Sequence, residues 1–440
     1  MSSQLIVGLT GLAVLIGMIA IRIPIGYAMA AVGIGGVFIL SGPAILLSQL
    51  KTLAFGTFSN YDLSVVPLFI LMGHIATKAR LSHALFRAAN AWFGRLRGGV
   101  AMAAIAACAG FGAVCGSSLA TASTMGKVAL PELRRYKYSP ALATGTLAAG
   151  GVLGILIPPS VVLVVYAVIV EANIVTMFSA ALVPGLIAVV FFMIVIAIYS
   201  WLVPEAGPRG GGVDRAELIS ASLGVIPVLG VFGLVIGGIY AGFFTPTPAA
   251  SIGVFLVLAY GVARRLVGWR DLVESILDTA KTAGMIYLIV LGAELLKIFM
   301  SRGGVPQAAA DMMLNSGLAP MMILILLLVA LIVLGCLMDS LSMILLAMPF
   351  FWPVIAQLDF GMSPDDTKVW FGILALIVVE LGLITPPVGM NVFVINSMAR
   401  DVPMIETFKG ALPFFAAELV RVALLLAFPA IVLFFPSILG

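Results

Sequence analysis

Long apolar runs broken by short polar or glycine-rich turns set the rhythm of this chain. Residues 5–21, 25–40, 177–203, 223–240, 252–263 and 411–435 are almost entirely hydrophobic. A helix needs about 20 such residues to cross the hydrocarbon of a bilayer, so this spacing predicts a polytopic, all-α membrane protein. Two further apolar blocks, about residues 98–136 and 319–358, begin and end beside charged residues of one sign, basic for the first and acidic for the second. Each is predicted to be a hairpin that enters and leaves by one face, with tips near Gly116-Ser117-Ser118 and Met338-Asp339-Ser340. Residues 81–97 and 271–282 carry polar side chains at helical spacing and are predicted to lie as helices in the interface.

Composition and charge sharpen this picture. The chain is 62% hydrophobic and 10% charged, against about 25% charged in soluble domains. Basic clusters at Lys78–Arg97, Arg134–Lys137, Arg209–Arg215, Arg264–Arg270 and Arg400–Lys409 all fall on one side of a single thread. The positive-inside bias makes that side cytoplasmic, with about ten full crossings. Asp311, Asp359, Asp365 and Asp366 mark the opposite side. Ala28-Met29-Ala30 has the form of a cleavage site, but Arg22 interrupts the apolar run and residues 1–4 carry no basic residue, so no cleaved signal is expected. Cys108, Cys115 and Cys336 form no disulfide framework, and His74 and His83 form no metal motif. Gly126-Lys127 lacks the rest of a phosphate loop, so ATP hydrolysis is not expected. Nothing in the charge pattern calls for a nucleic-acid partner.

The halves repeat each other. "CGSSLA" aligns with "MDSLSM", Ser139-Pro140 with Ser363-Pro364, Pro158-Pro159 with Pro386-Pro387, and Pro184 with Pro413. The first repeat covers 1–203, with its hairpin at about 98–136 and a broken helix at about 140–170; 204–216 is a cytoplasmic linker. The second repeat covers 217–440, with its hairpin at about 319–358 and a broken helix at about 366–398. One half starts outside and the other inside, so the repeats are inverted. Inverted repeats with broken helices are the architecture of secondary transporters. A Pro-Pro pair inside a span is tolerated only where the freed backbone lines a cavity or is buried in protein. Carbonyls at Ile157-Pro158-Pro159 and Thr385-Pro386-Pro387 could then hold a hard cation, while half-helix N-termini face an anionic substrate.

"GFGAVCGSSLATASTMGKVALPEL", "IPPS", "GFFTPTPAAS", "MDSLSMILLAMPFFWPV" and "LGLITPPVGMNVFVI" together resemble the large membrane subunit of tripartite ATP-independent periplasmic (TRAP) transporters over essentially the whole chain. The resemblance implies an elevator-type secondary transporter of the bacterial inner (cytoplasmic) membrane rather than an enzyme. It implies sodium ions but no organic cofactor. The implied partners are a small four-helix membrane subunit and a periplasmic substrate-binding protein that delivers an organic anion such as a C4-dicarboxylate or sialic acid. The repeats account for all 440 residues, so a fused small subunit is not expected within them. One departure is Pro248 in "TPTPAAS", where the family more often has an acidic residue; it bears on packing against the small subunit or on ion stoichiometry. A stand-alone sodium- or proton-coupled anion symporter of similar architecture is the alternative reading.

Carried onto this chain, the resemblance places one sodium site at Gly116, Ser117 and Ser118 with the backbone of Ile157, Pro158 and Ser160. A second draws on Asp339, Ser340 and Ser342 with Thr385, Gly389 and Asn391. Substrate would meet Ser118, Pro159, Ser340 and Pro387 between the tips. Small-residue packing is the other reading of the serines. An unpaired carboxylate at Asp339 would cost at least ~2.5 kcal/mol near the membrane centre. Glu380 fits either a proton or cation site or a structural hydrogen bond between helices. Glu294 and Lys297, three apart, are expected to pair on one helix face; Arg22 and Lys127 are expected to anchor at the interface; and His74 is expected to pack.

Overall fold

In hydrocarbon every backbone N–H must find a partner within its own segment or in buried protein. The computed structural model, which describes residues 3–211, 214–315 and 317–439, is helical throughout apart from one bridged pair, Arg97 and Arg209. Residues 212 and 213 of the expected linker lie outside the described residues.

The order is α1 (Ser3–Ala20), α2 (Ile25–Phe58), α3 (Val65–Lys78), α4 (Leu81–Phe93), α5 (Gly99–Cys115), α6 (Ser118–Arg135), α7 (Pro140–Leu156), α8 (Val161–Val170) and α9 (Ile174–Leu202). Then follow α10 (Arg215–Tyr240), α11 (Pro246–Ala263), α12 (Trp269–Gly303), α13 (Val305–Leu314), α14 (Pro320–Gly335) and α15 (Ser340–Ile355). The last are α16 (Pro364–Gly382), α17 (Met390–Met398), α18 (Met404–Ala427) and α19 (Ala430–Leu439). Among the described residues seven helices are long and apolar enough to cross a membrane, and two bent pairs, α3 with α4 and α7 with α8, raise the number to nine. That count leaves out α16, which carries Asp365, Asp366, Lys368 and Glu380, and the nine-residue α17, which lies beyond the longer break at 383–389.

The fold is a pair of inverted repeats with two re-entrant hairpins and two broken helices. Hairpin α5–α6, broken helix α7–α8 and α9 recur in order as α14–α15, α16–α17 and α18. The halves interlock: α8 packs on α15, while α17 packs on α6 and α7. Outside this bundle, α12 packs along α1, α2 and α3.

α12 corrects one expectation. Residues 271–282 are not a separate interfacial helix but the start of a single 35-residue helix, about 52 Å long at 1.5 Å per residue. No proline, cap or left-handed glycine separates Thr282 from the apolar stretch after it, so the hydrogen-bond ladder runs on. The polar start is instead fixed laterally, with Lys78 at the end of α3 lying 2.5 Å from Glu274 and 3.6 Å from Asp271. By contrast, α4 turns 66° away from α3.

Close approach governs the bundle interior. α5 and α7 are buried along nearly their whole length and are rich in Ala and Gly. Where α18 crosses α7, a Cβ at Gly410 would fall inside the Ala141 carbonyl, so only glycine permits the crossing. About two and three turns further along, α18 carries Glu418 and Arg421, both fully buried and ion-paired with each other. Arg421 Nη1 also donates to the Pro184 carbonyl of α9 at 2.8 Å, joining the two prolines' helices. At the polar end, residues 206–210 are strapped across the bundle: Gly98 N–H donates to Gly207 O and Gly210 N–H to Gly94 O at 2.9 Å, and Ser139 N–H to Ala206 O at 3.0 Å.

Removing one partner of a buried ion pair leaves an uncompensated charge. Arg421→Ala should therefore lower stability by about 3–5 kcal/mol. Replacing both, as Glu418→Leu with Arg421→Met, should recover most of that loss, and thermal unfolding in detergent compares the three proteins.

Candidate functional site

Each hairpin tip is made by a helix start, and the first is seated on its own half's break. α5 ends on Gly116 in the left-handed region (φ 64°), where a Cβ would stand 2.9 Å from the Pro159 carbonyl oxygen. The first tip therefore rests on the first break. Ser117 then caps α6, accepting from Ala120 N–H at 3.4 Å, and Ser160 caps α8, accepting from Leu163 N–H at 3.3 Å. In the second tip Asp339 caps α15, accepting from Ser342 N–H at 3.1 Å and from the Ser342 hydroxyl at 2.6 Å. The caps fix the register of the repeat: Ser117 matches Asp339, and Ser118 matches Ser340, one residue off the alignment of "CGSSLA" with "MDSLSM". Both Pro-Pro bonds, 158–159 and 386–387, are cis.

The two tips meet at one carboxylate. Glu380, fully buried in the last turn of α16, accepts at Oε1 from the Ser118 hydroxyl at 3.3 Å and from the Ser340 hydroxyl. Its Oε2 is buried and has no partner. Ser118 and Ser340 are the first residues of α6 and α15, so two helix N-termini, each with a partial positive charge, converge there.

The structure distributes the expected site residues unevenly. Gly116, Ser117, Ser118, Ile157, Pro158, Pro159 and Ser160 lie at one junction, all buried except the half-buried Ser117. The second set divides. Asp339, Ser340 and Ser342 form the second tip, but Asn391, fully buried on α17, donates to the Ala148 carbonyl of α7 at 3.4 Å and so faces the first half. This follows from the packing of α17 on α6 and α7. The Thr385 hydroxyl is spent on the Leu381 carbonyl at 2.6 Å, and Gly389, at φ 58°, lies against Phe408. The first break is buried, whereas Pro386, Pro387 and Val388 of the second are exposed beside a cavity of about 230 Å³ lined by Thr385, Pro386, Phe408 and Lys409. Of the substrate candidates, Ser118, Pro159 and Ser340 are therefore buried and Pro387 is not.

The donor chemistry suits a hard cation. Thr121 Oγ1, Asn391 Oδ1 and Glu380 Oε2 are buried oxygens without partners, and sodium favours hydroxyl, carbonyl and carboxylate oxygens, as other hard cations do. Among the described residues no group of three or more His, Cys, Asp or Glu gathers as a softer metal would require.

Other candidates resolve simply. Arg22 and Lys127 are exposed, His74 is half-buried, and Glu294 and Lys297 stand 4.0 Å apart on α12. Sequence reasoning missed two features. One is the Glu418–Arg421 pair, whose signal was a Glu and an Arg three apart in an otherwise apolar run. The other is a polar cavity of about 360 Å³ lined by Lys297, Ser301, Gln307, Trp352, Lys368 and Glu171. At the opposite end Arg134 pairs with Asp401 at 2.6 Å. A backbone hydrogen bond and Arg134 hold the Asp401 carboxyl below its usual range, so this contact persists at neutral pH and is lost only as pH falls through that lowered value.

Comparison with known proteins fits this geometry. The family model described as "Tripartite ATP-independent periplasmic transporter, DctM component" matches residues 12–431. The chain is 34% identical over 392 residues to the C4-dicarboxylate TRAP transporter large permease protein DctM of Pseudomonas aeruginosa, covering 88% of each. It is 29% identical over 429 residues to the sialic acid TRAP transporter large permease protein SiaM of Vibrio cholerae, covering 96% of this chain and 97% of the relative. In fold it is similar to the crystal structure of the Alcanivorax borkumensis YdaH transporter, with TM-score 0.63 at 14% identity over 87% of this chain and 88% of that one.

Asp339 allows capping and charge to be separated. Asp339→Ala removes the cap of α15 and should cost about 1–2 kcal/mol, whereas Asp339→Asn keeps a capping oxygen and should cost a few tenths. Equal losses in thermal unfolding would show that the charge, not the cap, holds the tip.

Proposed function

The chain belongs to the family of DctM components of tripartite ATP-independent periplasmic transporters, and from this premise we propose that it is the large permease subunit of a sodium-coupled carrier importing an organic acid. Its partners in this reading are a small membrane subunit and a periplasmic binding protein, in a bacterial inner membrane. The observation that carries the coupling is the meeting of both hairpin tips, through Ser118 and Ser340, on the buried Glu380 carboxylate of the second broken helix, with oxygens of Thr121, Glu380 and Asn391 buried and unpartnered.

The chain's own groups suggest how such a carrier works. The binding protein docks on the face marked by the acidic loops, where Asp359, Asp365 and Asp366 lie. Lys297 and Lys368 in the 360 Å³ cavity offer ammonium groups to an arriving carboxylate, although each also has an acidic neighbour, Glu294 and Asp365. From there the anion reaches the tips, where the N-termini of α6 and α15 present positive dipole ends. Bound sodium would supply the countercharge that lets buried oxygens and an anion share this space. The bundle of hairpins and broken helices then moves as an elevator against α1, α2 and α12. Each charge carried down the membrane potential contributes ~2.3 kcal/mol per 100 mV. A C4-dicarboxylate is the first substrate to try, since that is the named substrate of the 34% identical relative.

Proteoliposomes containing the chain with its small subunit test this reading. With binding protein and an inward sodium gradient, uptake of a labelled C4-dicarboxylate should exceed that in choline by more than about tenfold; a carrier that gains even 1.4 kcal/mol from the gradient changes its equilibrium accumulation by that factor. Equal uptake without binding protein and small subunit would favour the stand-alone symporter, and equal uptake in choline would remove sodium coupling.

A further inference from the structure

Glu380 has more acidic company than a structural hydrogen-bonding residue needs. The charged side chains that act on it are those of Glu418 in α18 and Asp339 at the second tip, both acidic. Arg421, the buried cation of that region, is already committed to Glu418 and to the Pro184 carbonyl. Two serine hydroxyls satisfy Oε1, while Oε2 stays buried without a partner. A carboxyl removed from water in this way either takes up a proton or is held ionised by a cation that reaches it.

The neighbouring oxygens are suited to receive that charge. The Ser118 and Ser340 hydroxyls donate to Glu380 as seen here, and each can instead turn a lone pair toward a cation held beside the carboxylate. All three residues are buried and come from three elements: α6 of the first hairpin, α15 of the second, and α16 of the second broken helix. A monovalent hard cation is small enough for a site this closed and suits its all-oxygen donors.

We propose that Glu380 is the anionic ligand of a sodium site shared by the two hairpin tips, with Ser118 and Ser340 as its hydroxyl ligands. The site differs from the two tip-and-break sets described above in having Glu380 as its anionic ligand and in drawing one ligand from each repeat's hairpin. Occupation therefore ties the tips together and neutralises one charge within the bundle. The proposal rests on sodium coupling and would fail with it, but the reverse does not hold.

The test is thermal stability of the purified chain with its small subunit, titrated with sodium against choline at constant ionic strength, with equilibrium binding of radioactive sodium as a second readout. Glu380→Gln keeps the shape and an oxygen for both hydroxyls but lacks the charge. It should raise the sodium concentration for half-maximal stabilisation at least tenfold and lower the number of sodium ions bound. Ser118→Ala with Ser340→Ala keeps the carboxylate and should weaken sodium several-fold, which keeps the proposal open to refutation if the Gln variant does not fold. A wild type stabilised by sodium, with either folded variant unchanged in midpoint and in ions bound, overturns this site and leaves coupling intact. A wild type indifferent to sodium overturns both.

Discussion

Lipid offers no hydrogen bonds, and that single deficiency organises this molecule. A span can be interrupted only where protein replaces water as the partner of the freed backbone. The first break shows how completely this is done: residues 157–160 are buried, Ser160 caps the outgoing half-helix, and Gly116 lets the hairpin tip close against the Pro159 carbonyl. Because a re-entrant hairpin and a broken helix each leave ends inside the membrane, each becomes tolerable only in the presence of the other. Their pairing in both halves is then a requirement of the solvent rather than an ornament of symmetry.

The interlocking of the halves follows from the same need. α8 and α17 are 10 and 9 residues long, too short to cross alone. Each finds burial against the opposite repeat, α8 on α15 and α17 on α6 and α7. Polar side chains accumulate where these elements meet, since helix ends bring backbone donors there, and the buried oxygens of Thr121, Glu380 and Asn391 lie among them. The Glu418–Arg421 pair does different work, tying α18 to α9 rather than building a binding surface.

Much of this was legible in the sequence because membrane helices write themselves as long apolar runs and broken ones as proline pairs inside them. The tips were legible too, since Ser and Asp at a helix start serve as caps. What stayed hidden depended on partners distant along the chain. Asn391 follows the second break in sequence, yet packing turns it toward Ala148, 243 residues away. Glu380 left a structural and an ionic reading open because nothing in a linear sequence shows that Ser118, 262 residues earlier, lies within reach. The polar start of α12 misled for another reason: amphipathic spacing marks a helix face but does not say where a helix stops.

The strap formed by residues 206–210 sets a mechanical limit. Its backbone is fastened to Gly94, Gly98 and Ser139, so the connection between repeats is anchored on the first hairpin's side as far as Gly210. α10 begins at Arg215, which leaves five steps of chain. At about 3.5 Å per step these reach no more than about 18 Å. While the strap holds, the first bundle and the start of α10 are leashed within that radius, and any larger stroke must begin by peeling the strap away.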